Sequence, residues 1–139
     1  MLDDPRRLMV ADLTARLAAG LAGQARAYEA ATVQAEGALQ RSLEDLGRAK
    51  HAQGAELAAL ARALGASTPP APSETPAGTS PDWGVILGEA FQGERALEGM
   101  GRELASLTTD PAVRALALRL AAGAGRDGGE VRKLYLRYS

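Results

Sequence analysis

Two polar residues interrupt the leucine seam of one predicted helix, and they are the residues best placed to carry chemistry. The seam advances by alternating steps of four and three residues, through Leu39, Leu43, Leu46, Lys50, Gln53, Leu57, Leu60 and Leu64. A leucine seam needs no polar residue for stability, so an inward lysine has to find a partner or reach water. The sequence therefore predicts a polar layer inside a helical core.

Three further polar residues fall on inward stripes near the middle of their predicted helices. They are Gln24, Glu94 and Asp127, and together with Lys50 and Gln53 they could meet in one layer. We expect the Lys50 ammonium to pair with Glu94 or Asp127, while the two glutamines complete the hydrogen bonds. The alternative is that Lys50 runs along the bundle surface with its ammonium in water and that Glu94 is exposed.

The few aromatic residues are assigned mainly to packing. Tyr28 is expected inside the bundle, with its hydroxyl paired to a residue of the polar layer. Trp83 and Phe91 are expected to fill the core, with a partner-binding surface as the alternative. Tyr135 and Tyr138 are candidates for a dimer contact.

Composition excludes several classes of function. The chain has 139 residues, enough for one domain with its own core, and it contains no cysteine, which rules out disulfides and thiolate metal sites. The net charge is −1, from 16 basic and 17 acidic residues, so the chain has no excess of basic residues that would indicate binding to nucleic acid or anionic lipid. No apolar run approaches the ~20 residues of a membrane span, and Asp3 and Asp4 stand where a signal peptide needs a basic n-region. We expect a cytoplasmic, bacterial protein that binds neither nucleic acid nor membrane.

Helical periodicity and helix-end signals divide the chain into four helices, and no strand pattern occurs. We expect a single four-helix-bundle domain over 1–139, with helices near 5–35, 38–64, 81–107 and 111–137 and a linker over 65–80. The signals are Asp4-Pro5, Ser80-Pro81 and Asp110-Pro111 at helix starts, Glu36-Gly37 at the first break and Gly65 at the second helix end. Five of the seven prolines lie in residues 65–81, which no helix can cross.

The length of the linker decides the connectivity. The second helix, of roughly 26 residues, is about 39 Å long, and an extended proline-rich segment of about 17 residues reaches about 50 Å. The linker can therefore carry the chain from one end of the bundle to the other. This predicts an all-α fold of two antiparallel hairpins joined by a long proline-rich crossover, the ferritin-like connectivity. The alternative is a loose linker between hairpins in some other arrangement.

Several segments resemble the helices of rubrerythrin-like proteins of the ferritin family. They are Tyr28-Glu29-Ala30-Ala31, Leu43-Glu44-Asp45-Leu46-Gly47, Leu57-Ala58-Ala59-Leu60-Ala61, Glu94-Arg95-Ala96-Leu97 and Asp110-Pro111-Ala112-Val113-Arg114-Ala115-Leu116. The resemblance implies a ferritin-like four-helix bundle. It also implies a di-iron or di-manganese centre, built from one glutamate on each of two helices and a Glu-x-x-His pair on each of the other two.

This chain departs from that ligand pattern at most positions. A gapless alignment keeps Glu94 as the family has it and places other residues at the remaining ligand positions, namely Leu21, Lys50, Gln53, Ala124 and Asp127. The single histidine, His51, lies one position off the seam and is expected on the helix surface. The resemblance therefore indicates a divergent member with a degenerate di-metal site, in which a lysine ammonium takes the place of a metal cation.

Two classes of function follow. The first is a non-enzymatic bundle without a cofactor, whose polar layer is structural and which forms a homodimer or other homo-oligomer or binds another protein. The alternative is an unconventional manganese, magnesium or iron protein or an oxidoreductase, with one metal held by Glu94 and Asp127. A third interpretation is a small-molecule binder that uses space beside Ala124. We favour the first because a cationic side chain at the centre repels a metal.

Overall fold

The computed structural model describes residues 5–66 and 81–139, which form four helices. Helix α1 spans Pro5–Gln34, α2 spans Gly37–Ala63, α3 spans Trp83–Leu107 and α4 spans Pro111–Tyr138. No strand occurs in the described ranges. Asp4 and Ser80, two residues predicted to begin helices, lie outside them, as does most of the linker predicted over 65–80.

Residues at the helix ends explain where most of the helices begin and end. Gly37 and Gly65 have positive φ angles of 59° and 87°, which favour glycine. At the end of α2, the Ala66 N–H donates to the Ala61 carbonyl and the Gly65 N–H donates to the Arg62 carbonyl, the Schellman arrangement. At the start of α4, the Asp110 carboxylate accepts from two backbone N–H groups and proline follows it. The predicted signals at Glu36-Gly37, Gly65 and Asp110-Pro111 are confirmed.

The start of α3 differs from the prediction. The sequence pattern put the start at 81, behind Ser80-Pro81, but the helix begins at Trp83. Asp82 is the N-cap, because its carboxylate accepts a hydrogen bond from the Val85 N–H at 3.2 Å. An aspartate at this position satisfies a free N–H group of the first turn as well as a serine two residues earlier could have done.

Side-chain pairings give the direction of each helix. Helix α1 runs antiparallel to α2, with Gly54 beside Leu21 and Gly47 beside Tyr28, and the α3 and α4 pair is also antiparallel. Helix α1 is antiparallel to α3 as well, since Gln24 binds the Ala90 carbonyl and the earlier Gly20 lies beside the later Leu97. Helices α2 and α3 therefore run parallel, as a long crossover between two hairpins requires.

The apolar core consists of two clusters. One contains Leu17, Leu21, Leu57, Leu97, Leu104 and Leu120 among its buried residues. The other contains Tyr28, Leu43, Leu87 and Val131, with Trp83, Phe91 and Tyr138 packed partly against it. Lys50, Glu94 and Asp127 fall between the two clusters along their helices. The fold thus holds a band of charged groups between two apolar halves.

Candidate functional site

The Lys50 ammonium lies at the centre of the bundle, between two carboxylates. Its Nζ is 2.8 Å from Glu94 Oε1 and 2.7 Å from Asp127 Oδ2, and it donates a longer hydrogen bond of 3.5 Å to Gln53 Oε1. The side chains of Lys50 and Glu94 are fully buried, whereas that of Asp127 is 22% exposed. The α2 lysine therefore joins α3 and α4 through two ion pairs, whereas the sequence predicted one carboxylate or the other.

The second oxygen of Glu94 is held from α1. The Tyr28 hydroxyl donates to Glu94 Oε2 at 2.5 Å, and the Gln24 amide donates to the same oxygen at 3.3 Å. The Gln24 amide also lies within hydrogen-bonding distance of the Tyr28 hydroxyl and of the Ala90 carbonyl, at 3.2 Å and 2.9 Å. Glu94 is thus contacted from α1 and α2, and its charge faces donors on both sides.

Gly93 makes room for the Gln24 amide. A Cβ built on Gly93 would lie 2.9 Å from Gln24 Cδ, closer than real Cβ atoms approach a neighbouring atom. A glycine at this place lets the side chain of α1 reach over α3 toward Glu94. The sequence pattern does not single out Gly93 for the site, because nothing in it separates Gly93 from the other glycines of α3.

Burial shifts the ionisation of two groups in the layer. It raises the pKa of Tyr28 far above its ordinary range, and the neighbouring Glu94 charge adds to the effect. Burial also raises the pKa of Glu94, although the attraction of Lys50 and the hydrogen bonds from Lys50 and Tyr28 act in the opposite direction. Tyr28 therefore stays a neutral donor, and desolvation outweighs the ion pair at Glu94.

All five predicted layer residues lie in this group of contacts. Gln24 and Gln53 are half-buried at its edges, and Lys50, Glu94 and Asp127 form its centre. Tyr28 joins them through its hydroxyl, as the sequence analysis expected. The surface alternative for Lys50 and Glu94 is wrong, because neither side chain reaches water.

The remaining residues of the predicted ligand pattern lie elsewhere. Leu21 and Ala124 are buried in the first apolar cluster, and His51 is exposed on α2. Trp83 and Phe91 are half-buried. Tyr138 packs partly against the second cluster, whereas Tyr135 is 41% exposed, so of these two tyrosines Tyr135 is the one that presents a sizeable surface.

Fold and site together define a ferritin-like four-helix bundle with a charged layer at its centre. The chain is similar to a crystal structure of ferritin-like, diiron-carboxylate proteins from Bacillus anthracis str. Ames, with a TM-score of 0.73 over 96% of this chain and 99% of that chain. The sequences are 14% identical, so the similarity supports the fold and not a shared activity. No protein-family model matches this chain, and no curated protein matches it.

The residues present do not fit a di-iron or di-manganese centre. Such a centre needs carboxylates from all four helices and two inward histidines. In the described ranges, no group of three or more His, Cys, Asp and Glu side chains lies close enough to hold a metal ion. Two carboxylates converge here, and the position between them is taken by an ammonium group. The layer therefore lacks the ligand set of a di-metal centre.

Within residues 5–66 and 81–139, no helix is long and apolar enough to cross a membrane.

Proposed function

We propose that this protein is a non-enzymatic ferritin-like bundle whose buried charged layer is structural, and whose role is to associate with itself. The observation that carries the proposal is the position of Lys50, with its Nζ at 2.8 Å from Glu94 and 2.7 Å from Asp127. The chain thereby supplies its own cation to the carboxylates. A layer completed in this way needs no cofactor.

The lysine also disfavours metal uptake. A divalent ion would have to displace the ammonium from both carboxylates or share the site with it. At a separation of about 4 Å, repulsion between a divalent ion and an ammonium amounts to about 2 to 8 kcal/mol for effective dielectric constants of about 80 to 20. This term weighs against the alternative of one metal ion held by Glu94 and Asp127.

Elemental analysis tests this part of the proposal. The untagged protein is measured as purified, and again after incubation with ferrous iron or manganese followed by desalting, while absorbance is followed in air. We expect no retained metal and no iron oxidation. Near-stoichiometric metal that is lost in the Glu94→Ala variant would contradict the proposal and favour an unconventional metal centre.

The support for self-association is an exposed apolar surface on α4. Tyr135 and Leu136 are 41% and 71% exposed, and they border a cleft of about 370 Å³. The rest of its lining is Gly84, Gly88 and Phe91 together with the polar residues Gln92 and Arg132. Because the two glycines lack side chains, the surface of α3 is recessed next to Tyr135 and Leu136. A second copy turned about a two-fold axis could place its Leu136 in the cleft while its own cleft receives the first Leu136.

Light scattering after size exclusion, over a range of concentrations, tests this part. We expect a homodimer that Leu136→Asp dissociates. Leu118→Asp is the matched control, because Leu118 is also an exposed leucine of α4, at 51% exposure, and lies about 27 Å away along the helix. A monomer at every concentration would contradict self-association.

A further inference from the structure

We propose that the charged layer is a binding site for a single primary alkylammonium ion, a site that the chain fills with its own Lys50. The inference rests on the proposed function, in that the layer holds no metal. It adds the identity of the ion for which the layer is built. The oxygen atoms that define the site are Glu94 Oε1, Asp127 Oδ2 and Gln53 Oε1, and they come from three helices.

The distances favour an ammonium ion over a metal. The two carboxylate oxygens lie 2.8 Å and 2.7 Å from the Lys50 nitrogen, and the Gln53 oxygen lies at 3.5 Å. Charge-assisted N–H···O contacts have lengths of about 2.7 to 2.9 Å, whereas Mg²⁺ and Ca²⁺ bind oxygen at about 2.0 to 2.6 Å. Mg²⁺ at the position of the ammonium nitrogen would have to draw both carboxylate oxygens inward by about 0.6 to 0.8 Å.

Glu94 makes the site depend on a cation. Its side chain is fully buried, and apart from the Lys50 contact its Oε1 has no hydrogen-bond partner in the part of the chain that the structure describes. A buried carboxylate oxygen without a compensating charge is strongly disfavoured. If the Lys50 ammonium is removed, this oxygen remains as an empty acceptor that a free ammonium ion can satisfy.

The site is closest to solvent at Asp127. Asp127 is 22% exposed and borders a cleft of about 220 Å³ between α2 and α4, which is lined also by Ser42, Asp45, Leu46, Glu130 and Leu134. Its three carboxylates are paired with basic side chains, Asp127 with Lys50, Asp45 with Arg48 and Glu130 with Lys133. Once Lys50 is replaced, the Asp127 carboxylate loses this partner, and a small alkylammonium ion that enters the cleft meets an acceptor of the site.

The test uses Lys50→Ala and n-propylammonium. This substitution removes three methylene groups and the ammonium, and n-propylammonium supplies three carbons and an ammonium to fill the same space. The variant is unfolded with urea, followed by circular dichroism, in increasing n-propylammonium chloride. Sodium chloride at equal ionic strength controls for screening, and 1-propanol controls for filling the cavity without charge. Lys50→Met is the matched protein control, because the longer side chain occupies the space.

We expect the urea midpoint of Lys50→Ala to rise with n-propylammonium concentration and to saturate, with no such rise for Lys50→Met or the unaltered protein. If Lys50→Ala does not fold alone, n-propylammonium should restore its helical signal. A variant that responds equally to 1-propanol, or that stays unfolded at every n-propylammonium concentration, would overturn the inference. Stronger stabilisation by manganese chloride than by n-propylammonium at equal concentration would also overturn it, by assigning the oxygens to a metal.

The two proposals can fail separately. Elemental analysis of the unaltered protein decides whether the layer is free of metal. A metal-free protein combined with a Lys50→Ala variant that does not respond to n-propylammonium would refute the ammonium site alone.

Discussion

Replacing Lys50 by methionine is the most direct perturbation of the charged layer. Methionine has a similar length and keeps most of the packing, but it removes the ammonium that lies 2.8 Å from Glu94 and 2.7 Å from Asp127. Glu94 then stays fully buried without its counter-charge. Breaking a buried ion pair by removing one partner costs about 3 to 5 kcal/mol. For a chain of this size, that loss corresponds to a fall in Tm of roughly 10 to 20 °C.

The assay is urea unfolding of Lys50→Met and of Lys50→Met/Glu94→Gln, followed by circular dichroism. The second substitution removes the stranded charge while keeping an acceptor for the Tyr28 hydroxyl. We expect it to recover a large part of the loss, so that the two substitutions are strongly non-additive. We also expect the loss in Lys50→Met to shrink at acidic pH, where the Glu94 carboxyl can take up a proton. An unchanged or raised urea midpoint in Lys50→Met, or an unchanged or raised Tm in a thermal melt of the same variant, with the structure otherwise unaltered, would refute the view that this ion pair matters for stability.

The remaining predictions concern Gly93 and Glu94. Gly93→Ala should destabilise by about 1 to 3 kcal/mol, because the added Cβ displaces Gln24 from its hydrogen bonds, whereas Gly99→Ala, which meets nothing within 4 Å, should stabilise by up to about 1 kcal/mol. Equal stabilisation by both, measured by urea unfolding, would show that Gln24 contributes nothing. Because burial raises the pKa of Glu94, the folded protein holds this proton more tightly than the unfolded chain does. The stability that comes from the tighter binding of this proton is therefore complete at pH values below the ordinary carboxyl pKa. It is lost as the pH rises through the folded-state pKa of Glu94. Relative to Glu94→Gln, the unaltered protein should lose stability as the pH rises through that window, and a difference that is constant with pH would contradict this expectation.

The fold was largely predictable because its signals are local or periodic. The spacing from Leu39 to Leu64 defines one buried face of α2, and Asp110 followed by Pro111 defines the start of α4. The start of α3 was placed two residues too early, because Ser80 and Asp82 are both good N-cap residues and a linear pattern does not decide between them.

The residues that form the charged layer could be predicted, but the contacts among them could not. Periodicity gives the face on which Lys50 and Glu94 lie, since that depends only on residue number. It does not give the rotation and height of one helix against another, which decide whether Lys50 meets one carboxylate or two. The close approach of Gln24 over Gly93 depends on the same quantities, and so it appears only in three dimensions.

The position of the layer between two apolar clusters indicates what a structural charge cluster contributes to such a bundle. Relative to a well-packed apolar layer, a buried ion pair often contributes no net stability. It does, however, penalise alternative alignments of the helices. A shift of α2 by one heptad would move Lys50 into the region of Leu21 and Leu97 and bury an unpaired ammonium there. In the native alignment the layer has one ammonium and two carboxylates, so one negative charge is in excess. Because Asp127 is partly exposed, this excess charge lies near water, and the native alignment avoids most of the cost of burying an uncompensated charge. We infer that the layer sets the register of α2 against α3 and α4, a role that a coordinated metal can fill in a bundle but that here is encoded in the chain itself.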